Sequence, residues 1–376
     1  MTDDPIRVLH VLTAMNMGGT ETLLMNIYRN IDRTKIQFDF AVTTKKEGDY
    51  DNEILSLGGR VIHYPQYRVT NHASFVRWWK DFFSIHPEYR IIHGHIGSTA
   101  AIYLSIAKKY GRFTIAHSHS TTPQLSLHSV VYMLYSFPTR FIADYFFGCS
   151  KQAIIDRYGI RIANDLKKSE VLNNGIDSKQ FAFSVETRER IRREFNIEKG
   201  TIVIGTVGRL THPKNPYEII RICKELKERG VEFSFWWFGK GELEDEIRKM
   251  IEINSLDNVH LMGTRRDINN VLQGMDIFIF PSIWEGLGIA CVESQAAGLP
   301  TLCSDSIPVE ACVSNLFEYL PRNQTRIWCD KIEKVIKKIS ENDYNRPDMR
   351  REIINNGYDI FNTAQKLELF YKDKVC

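Results

Sequence analysis

Short apolar runs alternate with longer amphipathic segments along most of the chain. Apolar or β-branched runs bounded by polar and turn residues predict buried strands, and the segments with helical spacing between them predict helices. The first series of predicted strands comprises residues 6–12, 37–42, 60–63, 90–93, 113–117, 145–148 and 170–173. Helices are predicted from about Glu21, from about Ser74, over about Thr99–Lys109, over about Leu127–Ile142 and from Lys151. This alternation is typical of a mostly parallel sheet covered by helices.

A second alternating series follows an interruption at Asn173-Asn174-Gly175-Ile176-Asp177 and a polar stretch to about Gly200. Its predicted strands comprise residues 201–208, 233–239, 259–262, 276–281, 300–304 and 318–320. We therefore expect an N-terminal domain over residues 1–180, a C-terminal domain over 181–352, and a final helix in 353–376 that would return to the first domain. Both domains are expected to be doubly wound α/β domains, in which ligands bind outside the carboxyl ends of strands.

Composition fits two globular domains in a chain of 376 residues, with 43% hydrophobic and 25% charged residues. No apolar run approaches the roughly 20 residues that span a bilayer, so no membrane span is expected. The start MTDDPIRVLHVL lacks the basic stretch and cleavage site of a secretory signal, and we expect a cytoplasmic protein. The seven cysteines form no C-x-x-C pair, so neither a disulfide framework nor a zinc site is indicated.

The net charge of +3 comes from a basic first half. This favours an anionic partner or a membrane surface, but the excess is too small to indicate nucleic acid. The segment Leu127–Ile142 mixes aromatic and aliphatic residues, including Phe137 and Phe141, with Arg140. Core packing explains such a segment, and a peripheral contact with the inner face of the cell membrane is the alternative.

Two glutamates lie eight positions apart in the run from Phe280 to Glu293, across a strand end, a glycine-rich turn and a helix start. Gly286 and Gly288 interrupt the apolar strand, and the segment from Ile289 has helical character. Unpaired helix-start amides would therefore lie beside Glu285. Because such amides and the helix dipole both attract negative charge, this segment predicts a phosphate site.

A cationic loop occupies residues 208–215, after the first strand of the second domain. Arg209 and Lys214 are five residues apart in it, and two fixed cations there would stabilise a departing diphosphate. The alternative is a solvated loop with ordinary surface cations. Gly18 and Gly19 hold the corresponding place in the first domain, where they would let the backbone approach a phosphate or sugar or would simply join a strand to a helix.

Histidine pairs follow two strands of the first domain, at His93-Gly94-His95 and His117-Ser118-His119. Metal binding is a rival interpretation, because alternate strand residues share a side and imidazole ligates zinc. The absence of a neighbouring carboxylate or cysteine favours structural histidines for most of the four, with at least one contacting the reacting sugar.

Two further motifs are weaker. Asp49-Tyr50-Asp51 has the D-x-D spacing of metal-dependent sugar transferases, but it lies just ahead of a predicted helix, where Asp51 would serve as a cap. Gly239-Lys240-Gly241 resembles the start of a dinucleotide fingerprint, but Glu244 stands at the third glycine position, which weakens an NAD-binding interpretation.

These motifs together resemble the retaining GT-B glycosyltransferases of family GT4, often described as glycosyl transferases group 1. The resemblance covers nearly the whole chain, and the first-domain segments further resemble bacterial exopolysaccharide and capsule members. It implies an α/β GT-B fold of two Rossmann-like doubly wound domains facing a central cleft. It also implies a nucleotide-sugar donor bound mainly by the second domain, a lipid-linked or oligosaccharide acceptor bound mainly by the first, and no cofactor or metal ion.

The resemblance assigns roles residue by residue. Glu285 would contact the donor sugar near the reaction centre, and His119 would be the histidine after the fifth strand, although His117 lies close enough to leave that assignment open. The implied donor-binding residues are Gly18, Gly19, Arg209, Lys214, Gly263, Arg265, Gly286, Leu287, Gly288, Ile289 and Glu293. Among these, Glu293 would hold the ribose hydroxyls, and the loop at 263–267 would lie near the base.

The sequence therefore predicts a retaining transferase that moves a hexose or N-acetylhexosamine, most simply from a UDP-sugar, to a lipid-linked or polysaccharide acceptor. Positive charge develops on the sugar and negative charge on the departing phosphate, so cations belong at the phosphate and acceptor groups around the sugar. Three alternatives stay open: a sugar-nucleotide epimerase of related architecture, a non-enzymatic sugar-nucleotide sensor and an NAD-dependent dehydrogenase.

Overall fold

The computed structural model describes residues 4–119, 134–341 and 345–375. The chain divides into two compact units. One comprises Met1–Gly175 together with Gly357–Cys376, and the other comprises Ile176–Asn356. The C-terminal helix therefore belongs to the first unit, where its buried residues join the same core as β1 and β2.

The first unit is built on a seven-stranded sheet in the order β3-β2-β1-β4-β5-β6-β7, and every strand pair in it is parallel. The strands are β1 Ile6–Val11, β2 Ile36–Val42, β3 Val61–His63, β4 Tyr89–Gly94, β5 Phe113–Ser118, β6 Tyr145–Gly148 and β7 Ser169–Val171. The described helices are Gly19–Asn30, Asp51–Ser56, His72–Ile85, Gly97–Lys109, Thr139–Ile142, Lys151–Tyr158, Ile160–Ala163 and Ile360–Val375, with a 3₁₀ turn at Val69–Asn71.

The second unit is built on a six-stranded parallel sheet in the order β10-β9-β8-β11-β12-β13. The strands are β8 Val203–Val207, β9 Ser234–Phe238, β10 Val259–Gly263, β11 Ile277–Phe280, β12 Thr301–Ser304 and β13 Phe317–Leu320. Its helices are Ser178–Phe181, Val185–Glu194, Pro216–Glu228, Glu244–Ile253, Ile268–Gly274, Ile289–Ala296, Thr325–Glu341 and Arg350–Asn355, with 3₁₀ turns at His212–Lys214 and Val309–Ala311.

The sequence-based prediction of two parallel, doubly wound sheets is confirmed, and each predicted strand is present with its ends shifted by a few residues at most. Residues 127–133 of the helix predicted over Leu127–Ile142 lie outside the described residues, whereas 134–136 are helical and Thr139–Ile142 forms a separate short helix. The cap predicted at Asp51 is offset by one residue, because Tyr50 is the N-cap and Asp51 opens the helix.

Burial on both faces explains why the strands have little polar alternation. Consecutive residues Trp236 and Trp237 of β9 point to opposite faces of the second sheet, and each is about 1% exposed. In the first sheet one face packs around Phe38 and Phe40 with the C-terminal helix, and the other packs around Trp79. Full burial of an apolar side chain contributes about 1.5–3 kcal/mol, so both faces of each sheet stabilise the fold.

A buried ion cluster ties the Val185–Glu194 helix to the second sheet. The carboxylate of Asp276, just before β11, lies 2.5 Å from Arg188 Nη2 and 3.0 Å from Arg192 Nη1, and it also accepts a hydrogen bond from the Val203 amide. Removing one partner of a buried pair costs about 3–5 kcal/mol, because the other charge stays buried without compensation. The cluster thereby fixes where the connecting segment enters the second unit.

Membrane-spanning character is absent from the described helices: none of them is both long enough and apolar enough to cross a bilayer.

Candidate active site

Two loops of the second unit are joined directly at the ends of neighbouring strands. One follows β8 and contains Lys214, and the other follows β11 and contains Glu285. The Asn215 side chain donates a hydrogen bond to the Pro281 carbonyl at 3.1 Å, and the Ile283 amide donates to the Pro213 carbonyl at 2.7 Å. These two bonds hold the loops in contact and set the positions of the charged side chains that they carry.

Lys214 and Glu285 form a partly buried ion pair at this junction. The Lys214 ammonium donates to Glu285 Oε1 at 2.6 Å and lies 4.6 Å from the centre of the Phe280 ring. The pair links a residue predicted for the diphosphate to one predicted for the sugar, across 71 positions of sequence. Asn215 adopts a left-handed conformation with φ of 53° and is the N-cap of the next helix. This turn sets the direction in which the preceding residue, Lys214, leaves the backbone.

The helix predicted after the glycine-rich turn begins at Ile289 and ends at Ala296. Gly288 is its N-cap with φ of 82°, a conformation that favours glycine. A Cβ built on Gly288 would lie 3.6 Å from Glu285 Cγ, so this helix start is adjacent to the ion pair. The first amides of a helix have no carbonyl partner within it, and they carry the positive end of the helix dipole.

The two glutamates differ in their surroundings. Glu285 is paired with a lysine, whereas Glu293 lies in the second turn of the helix and has no side-chain hydrogen-bond partner among the described residues. The surrounding protein desolvates the Glu293 carboxyl and raises its pKa to about 7. Ionising a desolvated carboxyl costs free energy unless hydrogen-bond donors stabilise the charge, so Glu293 suits a ligand that supplies such donors.

Arg209 supplies a further cation in the loop after β8. Its side chain is exposed, and it makes no hydrogen bond or ion pair with another residue in the described parts of the chain. Together with Lys214 and the helix amides, it gives the second unit three sources of positive potential. Such a set can bind a polyanion such as a diphosphate.

The glycines at 239 and 241 let the loop after β9 pack against the loop after β8. A Cβ on Gly239 would lie 2.1 Å from the Gly208 carbonyl oxygen, and one on Gly241 would lie 2.2 Å from the Leu210 carbonyl oxygen. This close approach explains the Gly-Lys-Gly sequence without a dinucleotide. This packing role was not predicted from the sequence, although two glycines directly after a strand could have indicated it.

Arg265 is held by two carboxylates. It forms a bidentate contact with Asp267, at 2.7 and 2.8 Å, and a third contact with Glu194 at 2.7 Å. These hydrogen bonds raise the pKa of Arg265. Gly263, at the end of β10, has φ of 71°, and its carbonyl accepts a hydrogen bond from the Gly239 amide. The loop after β10 is therefore joined to the loop after β9. The implied contact of Gly263 and Arg265 with a base stays a prediction.

The glycine turn of the first unit is open at one position. A Cβ on Gly18 would lie 2.4 Å from Glu21 Oε2, whereas a Cβ on Gly19 would have no atom within 4 Å. A side chain at 18 would therefore displace the Glu21 carboxyl, whereas the backbone at 19 is accessible. The roles implied for both glycines in donor binding stay predictions.

The D-x-D carboxylates are both used by the protein backbone. Asp49 Oδ2 accepts from the Met17 amide at 2.9 Å, and Asp51 Oδ2 accepts from the Gly48 amide at 2.9 Å. These bonds hold the loop after β1 against the start of the Asp51–Ser56 helix. They support the structural interpretation of this motif.

The two histidine pairs meet in one cluster, which also contains His10 from β1. His95 lies between His10 and His119, with nitrogen–nitrogen distances of 3.0 and 2.8 Å. His93 Nε2 lies 3.2 Å from His117 Nδ1, and His93 Nδ1 lies 2.7 Å from the Tyr371 hydroxyl. Desolvation lowers the pKa of His10 and of His119 to about 3, so both imidazoles are neutral.

Sequence reasoning missed His10. It lies opposite His93 in the β1–β4 register, but no partner histidine two positions away marked it. Both His119 nitrogens face inward, since Nε2 is paired with His95 and Nδ1 is buried without a hydrogen-bond partner among the described residues. His117 likewise has both nitrogens buried. A sugar contact through His119 or His117 therefore stays a prediction.

Comparisons with known proteins agree with this geometry. Residues 187–360 match the family described as glycosyl transferases group 1. The chain is 31% identical over 343 residues to the putative glycosyltransferase EpsF of Bacillus subtilis, covering 89% of this chain and 88% of that protein. It is 24% identical to an Escherichia coli UDP-Gal:alpha-D-GlcNAc-diphosphoundecaprenol alpha-1,3-galactosyltransferase, covering 100% and 98% of the two chains.

A third relative is the capsular polysaccharide biosynthesis glycosyltransferase CapH of Staphylococcus aureus, with 24% identity over 98% of this chain and 99% of that protein. Among solved structures, Anabaena Alr3699/HepE in complex with UDP superposes with a TM-score of 0.79 at 15% identity, covering 98% and 100% of the two chains. The three sequence relatives are each named as glycosyltransferases, so the epimerase, sensor and dehydrogenase alternatives are not favoured. The chain is a glycosyltransferase with the GT-B fold and belongs to the glycosyl transferases group 1 family.

Proposed function

We propose that this enzyme transfers a hexose or N-acetylhexosamine from a UDP-sugar to a lipid-linked or polysaccharide acceptor in exopolysaccharide or capsule biosynthesis. The reaction would retain the anomeric configuration and require no metal ion. The Lys214–Glu285 pair at the start of the Ile289–Ala296 helix carries this proposal, because it places a cation, a carboxylate and helix amides at one point. The UDP-Gal donor and lipid-linked acceptor of the Escherichia coli relative, and the capsular polysaccharide pathway of the Staphylococcus aureus relative, support the donor and acceptor classes.

The charges in the second unit match those that develop when the anomeric C–O bond breaks. Lys214, Arg209 and the amides of Gly286, Leu287, Gly288 and Ile289 would bind the diphosphate, whose negative charge grows as it departs. Glu285 would contact the donor sugar, where positive charge develops. Glu293 would accept hydrogen bonds from the ribose hydroxyls, and Gly263 and Arg265 would lie near the base.

Retention would follow from attack on the same face as the leaving group. In this reaction the anomeric C–O bond to phosphate breaks, the acceptor oxygen bonds to the anomeric carbon, and the acceptor's proton passes to a phosphate oxygen. No side chain is then required as a nucleophile. Glu285 and His119 are proposed as contacts of the reacting sugar, and the roles of Gly18 and Gly19 belong to the same proposal.

We also propose that the first unit contacts the inner face of the cell membrane. Phe141 is 75% exposed and Phe137 is 49% exposed, and the Arg140 guanidinium lies 4.0 Å from the Phe137 ring centre. Aromatic residues beside a cation suit an interface with anionic lipids. The C-terminal end of the segment predicted from its composition therefore presents apolar side chains to solvent.

The membrane contact predicts binding to anionic lipid vesicles in a sedimentation assay, with Phe141→Ser binding several-fold more weakly because it removes apolar area from the interface. Leu166→Ser is the matched control, since Leu166 is 86% exposed elsewhere on the same unit. Equal binding by both variants, or none by the unmodified chain, would contradict the contact.

Donor class is tested by a thermal-shift screen of UDP-, GDP- and ADP-sugars. A ligand that binds the folded state raises the unfolding temperature in proportion to its occupancy, so UDP-sugars should give the largest shift. Positive hits should then release UDP in the presence of acceptor, and NMR of the product should show the donor's anomeric configuration. A preference for GDP or ADP, or an inverted product, would overturn the corresponding part of the proposal.

Lys214→Ala should reduce kcat/KM by ~100-fold or more, because a fixed cation at the departing diphosphate is lost. The unfolding temperature should change little, since the ammonium is only partly buried. Lys334→Ala, at an exposed helical position, serves as the control and should keep full activity. Near-normal transfer by Lys214→Ala would refute the diphosphate role.

Glu293 predicts a pH dependence of UDP affinity. If the carboxylate accepts ribose hydrogen bonds, the ionised form binds, so affinity should rise by about tenfold from about pH 6 to about pH 8 as the group with a pKa of about 7 ionises. Calorimetry is carried out on the unmodified enzyme and on Glu293→Gln. The titration of UDP itself contributes equally to both, so the difference between them isolates the contribution of Glu293. The same slope in both proteins would exclude Glu293 as the source.

Folding stability should show the opposite trend. The folded-state pKa of Glu293 lies above the ordinary value of 4.5. Its contribution to the free energy of unfolding is therefore fully present below pH 4.5 and is lost as pH rises through about 7. Glu293→Gln should not show this loss.

A further inference from the structure

Five histidines of the first unit form a cluster, and the proposed transfer reaction assigns a role to His119 alone among the five. They come from three neighbouring strands: His10 from β1, His93 and His95 from the end of β4, and His117 and His119 from the end of β5. Adjacent rings lie 3.9 to 5.4 Å apart between centres. Aromatic rings, among them Phe38 and Phe147, surround the cluster.

We propose that His10, His93 and His95 bind one transition-metal ion, with zinc as the expected metal. One nitrogen from each of the three lies within 4.8 Å of the other two. His10 Nδ1 and His95 Nε2 are 3.0 Å apart, close to the ~3.3 Å edge of a tetrahedron whose metal–nitrogen bonds are about 2.0–2.1 Å. Three histidines with a fourth position open to water or an anion form a known type of zinc site.

The remaining nitrogens of two ligands already have the partners that orient metal-bound imidazoles. His93 Nδ1 lies 2.7 Å from the Tyr371 hydroxyl, and His95 Nδ1 lies 2.8 Å from His119 Nε2. Metal-bound histidines almost always direct their second nitrogen to such a partner, which fixes the ring. The metal would then be bound by Nε2 of His93 and Nε2 of His95, and it would replace the contacts that these atoms now make with His117 Nδ1 at 3.2 Å and with His10 Nδ1 at 3.0 Å.

The chemistry of the ligand set indicates which metal it would bind. The set contains nitrogen ligands and no carboxylate, which selects zinc, copper or nickel over magnesium, calcium or manganese. The ion would join β1 to β4 within the first unit.

A second set of three, His95, His117 and His119, also lies within reach of one ion. Two of its three rings, His117 and His119, have a buried nitrogen without a hydrogen-bond partner among the described residues, whereas in the first set this holds for His10 alone. His10 and His93 are instead fully buried and paired in register on adjacent strands. The first set is therefore the more rigid one.

The test measures metal directly in the full chain. Elemental analysis after purification should find one zinc per chain, and cobalt added to the stripped protein should give the visible absorption of a tetrahedral nitrogen site. Zinc should raise the unfolding temperature of the stripped protein. His10→Phe keeps a ring among Phe38 and Phe40, and it should lower zinc affinity beyond the ~10–100-fold expected for loss of an outer partner.

Two matched variants make the assignment specific. His117→Phe, in the same cluster, and His63→Phe, on the surface, should both retain one ion per chain. His95→Gln should lose it, and this variant decides the matter if His10→Phe does not fold. Absence of stoichiometric metal with no thermal shift would overturn the proposal, as would loss of metal in His117→Phe and not in His10→Phe. None of these readouts depends on donor or acceptor, so failure of the proposed transfer activity would be seen separately.

Discussion

Both candidate sites depend on one constraint, the parallel direction of every strand within each sheet. Parallel strands end at a common edge, so loops that are far apart in sequence meet there. In the second sheet the strand order reverses between β8 and β11, and in the first it reverses between β1 and β4. Ligands in doubly wound sheets bind at such reversal points. Lys214 and Glu285 follow β8 and β11, and His10 and His93 lie on β1 and β4.

The two reversal points carry different chemistry. In the second unit a lysine, an arginine and helix amides provide positive charge beside two carboxyl groups, one of them paired and the other desolvated. In the first unit the side chains at the strand ends are neutral imidazoles packed among aromatic rings. The first arrangement matches the proposed sugar-nucleotide ligand, whereas the second matches the proposed zinc ion, because imidazole nitrogens bind zinc. The same architecture thus presents opposite kinds of ligand environment in its two halves.

Much of the fold could be predicted from the sequence, because a strand buried on both faces leaves an unbroken apolar run such as that of β11. The loop motifs also identified Lys214 and Glu285 separately. Their contact could not be predicted, since it depends on the backbone hydrogen bonds that join two loops. The same limit explains why Arg265 was not expected to pair with Glu194, and why His10 was overlooked beside the more regular histidine pairs.

The ion pair between Lys214 and Glu285 also bears on discrimination between ligands. Because the two side chains are already bonded to each other, an arriving anion must separate them before it gains the full charge of the lysine. Inorganic phosphate offers the released carboxylate only its P–OH groups, which are themselves part of an anion, whereas a sugar attached to the phosphate offers several neutral hydroxyl donors. Specificity is a difference between two binding free energies, and a pre-formed internal competitor enlarges that difference. In the proposed donor site, the pair would therefore disfavour free phosphate and leave the whole sugar nucleotide able to satisfy both charges.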